Sequence, residues 1–399
     1  MSLLTDVHDR IEQAREAPGC SSELHWTSFA EFFRSRLYDP RLVTRNFLTY
    51  CDDDRNLRRT YSYAEFGTIV ERMAEMFHAK FGLTRGDRIA TVLFNHDLTA
   101  LIYFAAWTLG IAVVPINVEE TPEKKRYILE HSEASVALCW QDVYEELNAL
   151  QSMLPALREV VALGDGGILD GKETRGKSRK NSHAVGARFA PGTSRLDDPA
   201  LIIYTSGTTG PPKGVILTVA NLLIDADAIA DRHGFGLTDR VMCVLPVHHV
   251  NGIVVTLMTP FYCKGSVVLN RKFKTGSFWR RLHEEQVTSV SVVPTLLEFL
   301  LDADEDLAAY RLDRFGGVIC GAGPLLKDTA LRFEERFGFP IRHGYGLSET
   351  TCYSCFLPND LTGPQHRHWL TDFDFPSIGT ALRHNEMAIL DESGKAVAE

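Results

Sequence analysis

Residues 204–214 read Tyr204-Thr205-Ser206-Gly207-Thr208-Thr209-Gly210-Pro211-Pro212-Lys213-Gly214. Hydroxyls and backbone N–H groups are dense here, the glycines let the chain curve around an anion, and Lys213 can neutralise it, which together describe a phosphate cradle. It differs from the nucleotide-triphosphatase loop. Lys213 is followed by Gly214 where that motif has Ser or Thr, and Val215-Ile216-Leu217 reads as a strand where that motif needs a helix. The expected order is strand, loop, strand, and then a helix with Thr218 as its N-cap and apolar periodicity over 221–230.

Three segments downstream carry groups suited to the same chemistry. Leu245-Pro246-Val247-His248-His249-Val250-Asn251-Gly252 sets two imidazoles beside a proline. Gly321-Ala322-Gly323-Pro324 follows an apolar run, and its small side chains would let a flat base approach the backbone. Gly344-Tyr345-Gly346-Leu347-Ser348-Glu349-Thr350 combines a ring, hydroxyls and a carboxylate in one short stretch.

In this order the four segments resemble the adenylate-forming (AMP-binding) superfamily, of the acyl- and aryl-CoA synthetase type. The resemblance extends from Thr60-Tyr61-Ser62-Tyr63-Ala64-Glu65 to Ser377-Ile378-Gly379. It implies that Thr205, Ser206, Gly207, Thr208, Thr209, Gly210 and Lys213 cradle the phosphates of ATP. Gly321, Ala322, Gly323, Pro324, Gly344 and Gly346 would surround the adenine, with Tyr345 stacking on it. Ser348 would hydrogen-bond the α-phosphate, and Glu349 would hold Mg²⁺. His249, by its spacing from Pro246, would border the acid, in a pocket shared with Asn251, Gly252 and Thr350. Lys213, His249, Ser348 and Glu349 form the expected catalytic set. Each role suits its side chain: a ring for stacking, a hydroxyl donor for an oxyanion, a hard oxygen for magnesium.

The implied reaction has two steps: a carboxylate displaces pyrophosphate from Mg·ATP, and the thiol of coenzyme A then attacks the acyl-adenylate. Alternatives are transfer to an acyl carrier protein, or an acyl-adenylate-binding module without catalysis. Medium or long aliphatic and aryl acids are favoured over amino acids, because no carboxylate is obviously placed for an α-ammonium group. The pattern departs from the family near its end, where Leu382-Arg383-His384-Asn385 stands in place of a Pro-Gly turn. The family's ribose-binding Asp, hinge and C-terminal lid lysine would lie beyond Glu399, so the chain is expected to bind better than it turns over.

Positioning such segments takes buried strands between helices. Apolar runs rich in Val and Ile at 88–94, 112–116, 135–139, 200–204, 289–293 and 317–320 alternate with helical patterns at 96–109 and 122–133. The expected fold is α/β, with two helix-covered β-sheet subdomains layered αβαβα and the start of a small β-barrel. The expected segments are 1–190, 191–360 with the nucleotide loop, and 361–399, where 386–390 reads as a strand before an Asp391–Lys395 turn.

With 399 residues the chain can fill more than one core, and its formal net charge of −10 argues against nucleic acid or an anionic membrane as partner. The basic run containing Lys172, Arg175, Lys177, Arg179 and Lys180 reads as a solvated loop, with docking of a carrier protein or of the phosphates of coenzyme A as the functional alternative. No secretory signal or membrane span is apparent, and the eight scattered cysteines suit reduced core thiols, so a cytoplasmic location is expected.

Overall fold

The protein is described by a computed structural model covering residues 24–164, 167–168, 194–205 and 210–397. The basic run from Lys172 to Lys180 lies outside the described residues. The strands are β1 (Asn46–Asp52), β2 (Leu57–Ser62), β3 (Arg88–Val92), β4 (Ala112–Ile116), β5 (Val136–Trp140), β6 (Glu159–Gly164), β7 (Gly167–Ile168) and β8 (Pro199–Thr205). They continue with β9 (Lys213–Thr218), β10 (Arg240–Cys243), β11 (Ser266–Asn270), β12 (Ser289–Val292), β13 (Val318–Cys320), β14 (Ile341–Tyr345), β15 (Cys355–Phe356) and β16 (Thr380–Ala381).

They form two mostly parallel sheets. One has seven strands in the order β7-β6-β5-β3-β4-β8-β9, the other nine in the order β16-β15-β14-β13-β12-β10-β11-β1-β2. Apolar residues alternate across each strand because successive side chains point to opposite faces. Ile89 of β3 and Leu269 of β11 enter one core between the sheets, filled by the helices Tyr63–Phe81, Asp97–Thr108 and Val219–His233. Ala90 and Val92 face an outer core beneath Pro122–Ser132 and Tyr144–Gln151. Val268 and Val290 face another, beneath Thr275–Glu284, Pro294–Asp302 and Lys327–Phe337. The five expected layers are present.

The sheets do not follow a division of the chain at residue 190. The N-terminal hairpin β1–β2 joins the nine-stranded sheet, and the β8–β9 hairpin closes the seven-stranded one. Parallel pairing permits this, since its crossovers bring distant segments side by side. Residues 386–390 are not a strand. Ile389 is 77% and Leu390 57% exposed, and beyond an isolated bridge from Leu390 to Ala396 no neighbour among the described residues pairs with them. The Asp391 turn does form, its carboxylate accepting from the backbone N–H groups of Ser393 and Lys395. In place of barrel strands, the described part of 361–397 holds the helix Gly363–Thr371 and the edge strand β16.

The local signals are ordinary ones. Gly110, with φ +71°, ends the helix Asp97–Thr108 as a left-handed residue. Thr218 caps the helix Val219–His233 in a reciprocal box with Asn221.

Asn95, just after β3, joins the sheets. Its Nδ2 donates to the carbonyls of Leu245 (2.9 Å) and Asn270 (3.1 Å), and its Oδ1 accepts from Val247 N–H (2.8 Å). Replacing Asn95 with Ala removes the side-chain partner of the Asn270 carbonyl and of the Val247 N–H, each worth on the order of 1–3 kcal/mol when unpaired, and leaves the Leu245 carbonyl to the weak Cys243 thiol donor. The denaturant midpoint of Asn95→Ala is therefore expected to fall by the equivalent of about 2–4 kcal/mol with little change in slope.

Candidate active site

Strands β10, β12, β13 and β14 run parallel, so the loops after them open at one edge of the sheet. The chain passes from β10 to β11 on one side and then returns past β10 to β12 on the other, which makes the β10–β12 boundary a switch in strand order. Such a reversal leaves a crevice at the carboxyl ends of the strands, the usual ligand position in open α/β sheets. Three of the four segments expected to carry chemistry leave these strand ends. His248 to Gly252 follow β10, Gly321 to Pro324 follow β13, and Gly346 to Thr350 follow β14.

The fourth segment arrives from the other sheet. In the β8–β9 hairpin Thr205 pairs with Lys213 and Tyr204 with Gly214, so the phosphate loop is the hairpin tip. Its central residues Ser206, Gly207, Thr208 and Thr209 lie outside the described residues. Gly210, with φ +120°, and the exposed Lys213 lie within them. Strand β9 runs alongside the Ser348–Thr350 turn, with Cα atoms within 8 Å. Lys213 and Glu349 are both exposed, and neither forms an ion pair with another described residue.

Tyr345, 42% exposed, ends β14, and Ala322 and Gly323 are exposed after the neighbouring strand β13. A flat base therefore has a ring and a small-residue loop within reach, while Gly344 is buried against Phe356. Gly346 could carry no side chain, because a Cβ there would overlap the Cys352 carbonyl. Thr350 is occupied locally: its Oγ1 accepts from Leu347 N–H (3.0 Å) and from the Ser354 hydroxyl (2.9 Å), locking the turn. Thr351, buried with φ +75° and ψ −59°, closes a γ-turn in which Cys352 N–H donates to the Thr350 carbonyl at 3.0 Å. That conformation is rare and strained for a β-branched residue, and strain of this kind gathers at functional sites.

On the acid side, His249 is exposed and its ring lies 4.4 Å from that of His248. Surrounding protein desolvates both imidazoles, pushing His248 down to about 3 and lowering His249, with Glu120 partly opposing the shift at His249 and Lys124 adding to it. The shift favours the neutral form of both rings. Asn251 opens a π-helical segment, Asn251–Met258, of a kind common at functional sites. It is buried, accepting from the Ser291 hydroxyl (2.7 Å) and donating to the Tyr353 hydroxyl (3.2 Å). Gly252 is buried against the Pro246 carbonyl, one layer behind the surface that His249 presents.

Two contributors were not singled out by motif, Asn95 and Asp225, which sit in no recognisable pattern; Tyr353 falls in the 350–354 stretch expected from sequence to border the acid pocket. Asp225, on the helix Val219–His233, is buried, and among the described residues its carboxylate receives only a long hydrogen bond from Tyr353 N–H (3.4 Å). Burial pushes its carboxyl well above the usual range.

The protein belongs to the AMP-binding enzyme family, whose model matches residues 44–399. It is 33% identical over 287 residues to a sulfoacetate–CoA ligase of Cupriavidus necator, covering 71% of this chain and 53% of that protein. It is 27% identical over 352 residues to a crotonobetaine/carnitine–CoA ligase of Escherichia coli O9:H4, covering 86% and 64%. The chain thus spans about half to two thirds of these relatives. The fold matches an inhibitor-bound N-terminal domain of FACL13 from Mycobacterium tuberculosis with a TM-score of 0.75 at 21% identity, covering 93% of this chain and 86% of that one. No helix among the described residues is long and apolar enough to cross a membrane.

Asp225 sets a pH signature. A raised native pKa means that the unfolded state ionises first, so stability is lost as pH rises above roughly 4, by up to about 1.4 kcal/mol per pH unit. Asp225→Asn is expected to raise the melting temperature at pH 7, with the gain shrinking to nothing near pH 4. An equal gain at both pH values would contradict a buried neutral carboxyl.

Proposed function

We propose that the protein is the adenylating part of an acid–thiol ligase, activating a carboxylic acid with ATP and passing the acyl group to coenzyme A. The observation that carries this reading is the approach of β9, the strand that Lys213 opens, to the Ser348–Thr350 turn that follows β14 in the other sheet. A substrate carboxylate oxygen attacks the α-phosphorus as the bond to pyrophosphate breaks. Negative charge spreads over phosphate oxygens near Lys213 and Ser348, where fixed donors stabilise it without reorganising. His249, neutral, orients the incoming carboxylate. The thiol then attacks the acyl carbon, AMP leaves, and the thiol proton passes to solvent.

Glu349 fits a divalent metal as a single exposed carboxylate. Among the described residues no cluster of three or more His, Cys, Asp or Glu could hold one, so most ligands would be phosphate oxygens and water, as is usual for magnesium. A magnesium ion held by Glu349 would supply charge neutralisation to the departing pyrophosphate. The relatives named as CoA ligases favour coenzyme A over a carrier-protein thiol. ATP, coenzyme A and the free cysteines among the described residues suit the cytoplasm.

Calorimetry with Mg·ATP and an acyl-sulfamoyl adenosine is expected to give saturable binding, weakened at least about tenfold in Lys213→Ala and Ser348→Ala with no change in melting temperature. Binding insensitive to both substitutions would contradict the site.

A further inference from the structure

We infer that Tyr353 plugs the acid pocket and limits the substrate to a short carboxylic acid, a step that rests on the adenylation reading above. An acyl group attached at the α-phosphate near Ser348 must extend away from the adenine, between His249 and the Gly321 loop, and so into the strand ends. The phenol of Tyr353 fills the space between the segment after His249 and the Gly321 loop, bonded to Asn251 on one side and pressed on Gly321 on the other.

Tyr353 is only 2% exposed and packs against Phe356 with ring centroids 4.1 Å apart. Its hydroxyl is held by Asn251, the first residue of the π-helical segment, which Ser291 fixes from β12. A Cβ built on Gly321 would sit 2.5 Å from that hydroxyl and 2.8 Å from the ring, so the phenol presses directly against the loop assigned to the adenine side. The backbone behind it is equally fixed, since Gly346 packs on the Cα of Tyr353 and the strained Thr351 precedes it by two residues. A ring held from this many sides cannot move aside cheaply. A close-packed ring at this position blocks the apolar channel that a longer chain would need and leaves the site to a short acid. The medium or long acids expected from sequence are thereby disfavoured.

The test is calorimetric binding of N-acylsulfamoyl adenosines with acetyl, butyryl, hexanoyl and octanoyl groups, with AMP alongside. Wild type is expected to bind the acetyl and butyryl analogues at least about tenfold more tightly than the octanoyl one, the scale on which pockets discriminate by methylenes. Tyr353→Ala and Tyr353→Leu should reverse or flatten that order, while Tyr353→Phe, which keeps the ring, should retain it. Two substitutions of different size guard against one failing to fold, and melting curves identify such a failure. Wild-type binding of the octanoyl analogue as tight as the acetyl one, with AMP also bound, overturns the length limit and leaves adenylation standing. No binding of AMP or of any analogue overturns the adenylation reading and the limit with it.

Discussion

Asn95 leaves the end of β3 in one sheet and commits its whole carboxamide to the loops after β10 and β11 in the other. Tyr103 adds a hydrogen bond to the Val247 carbonyl from the helix between the sheets. The residues expected to handle phosphate and those expected to handle the acid come from different sheets, so chemistry between them requires this fixed relation. A displacement of about 1 Å at a reacting centre can cost on the order of 10²-fold in rate. The buried polar groups at this joint are satisfied, which is what allows a polar bridge inside a dense apolar core.

Around the joint the site is assembled from strand ends. Parallel pairing of β12, β13 and β14 sets the loop for a base, the exposed Tyr345 ring and the Ser348–Thr350 turn side by side. Lys213 stands at the start of β9, whose hairpin with β8 belongs to the other sheet. Two costs accompany this arrangement. Thr351 is held in a strained turn with positive φ, and Asp225 is buried with no cationic partner among the described residues. Sites that store strain or bury ionisable groups in this way give up stability for geometry.

Much of this was legible in the sequence. The strand–loop–strand–helix order around Lys213 followed from the glycine, the apolar run after it and the Thr218 cap, all local signals that tertiary packing reinforced. The layered fold followed from runs that alternate with helical spacing. What sequence did not reveal depends on contacts between remote segments. The exchange of the β1–β2 hairpin into the second sheet, the bridge made by Asn95 and the burial of Tyr353 beneath Gly321 have no periodicity to announce them. The misread strand at 386–390 shows the converse, since alternation alone does not make a strand when the pairing stops at a single bridge, here Leu390 with Ala396.

The most direct test is a crystal structure of the protein with an acetyl-sulfamoyl adenosine bound. The account predicts the adenine between Tyr345 and the Gly321–Gly323 loop, the sulfamoyl group near Lys213 and Ser348, and the acyl group ending between His249 and the phenol of Tyr353. Density for the analogue elsewhere, such as the cleft among Arg45, Arg240 and Arg314 at the opposite strand ends, would contradict it.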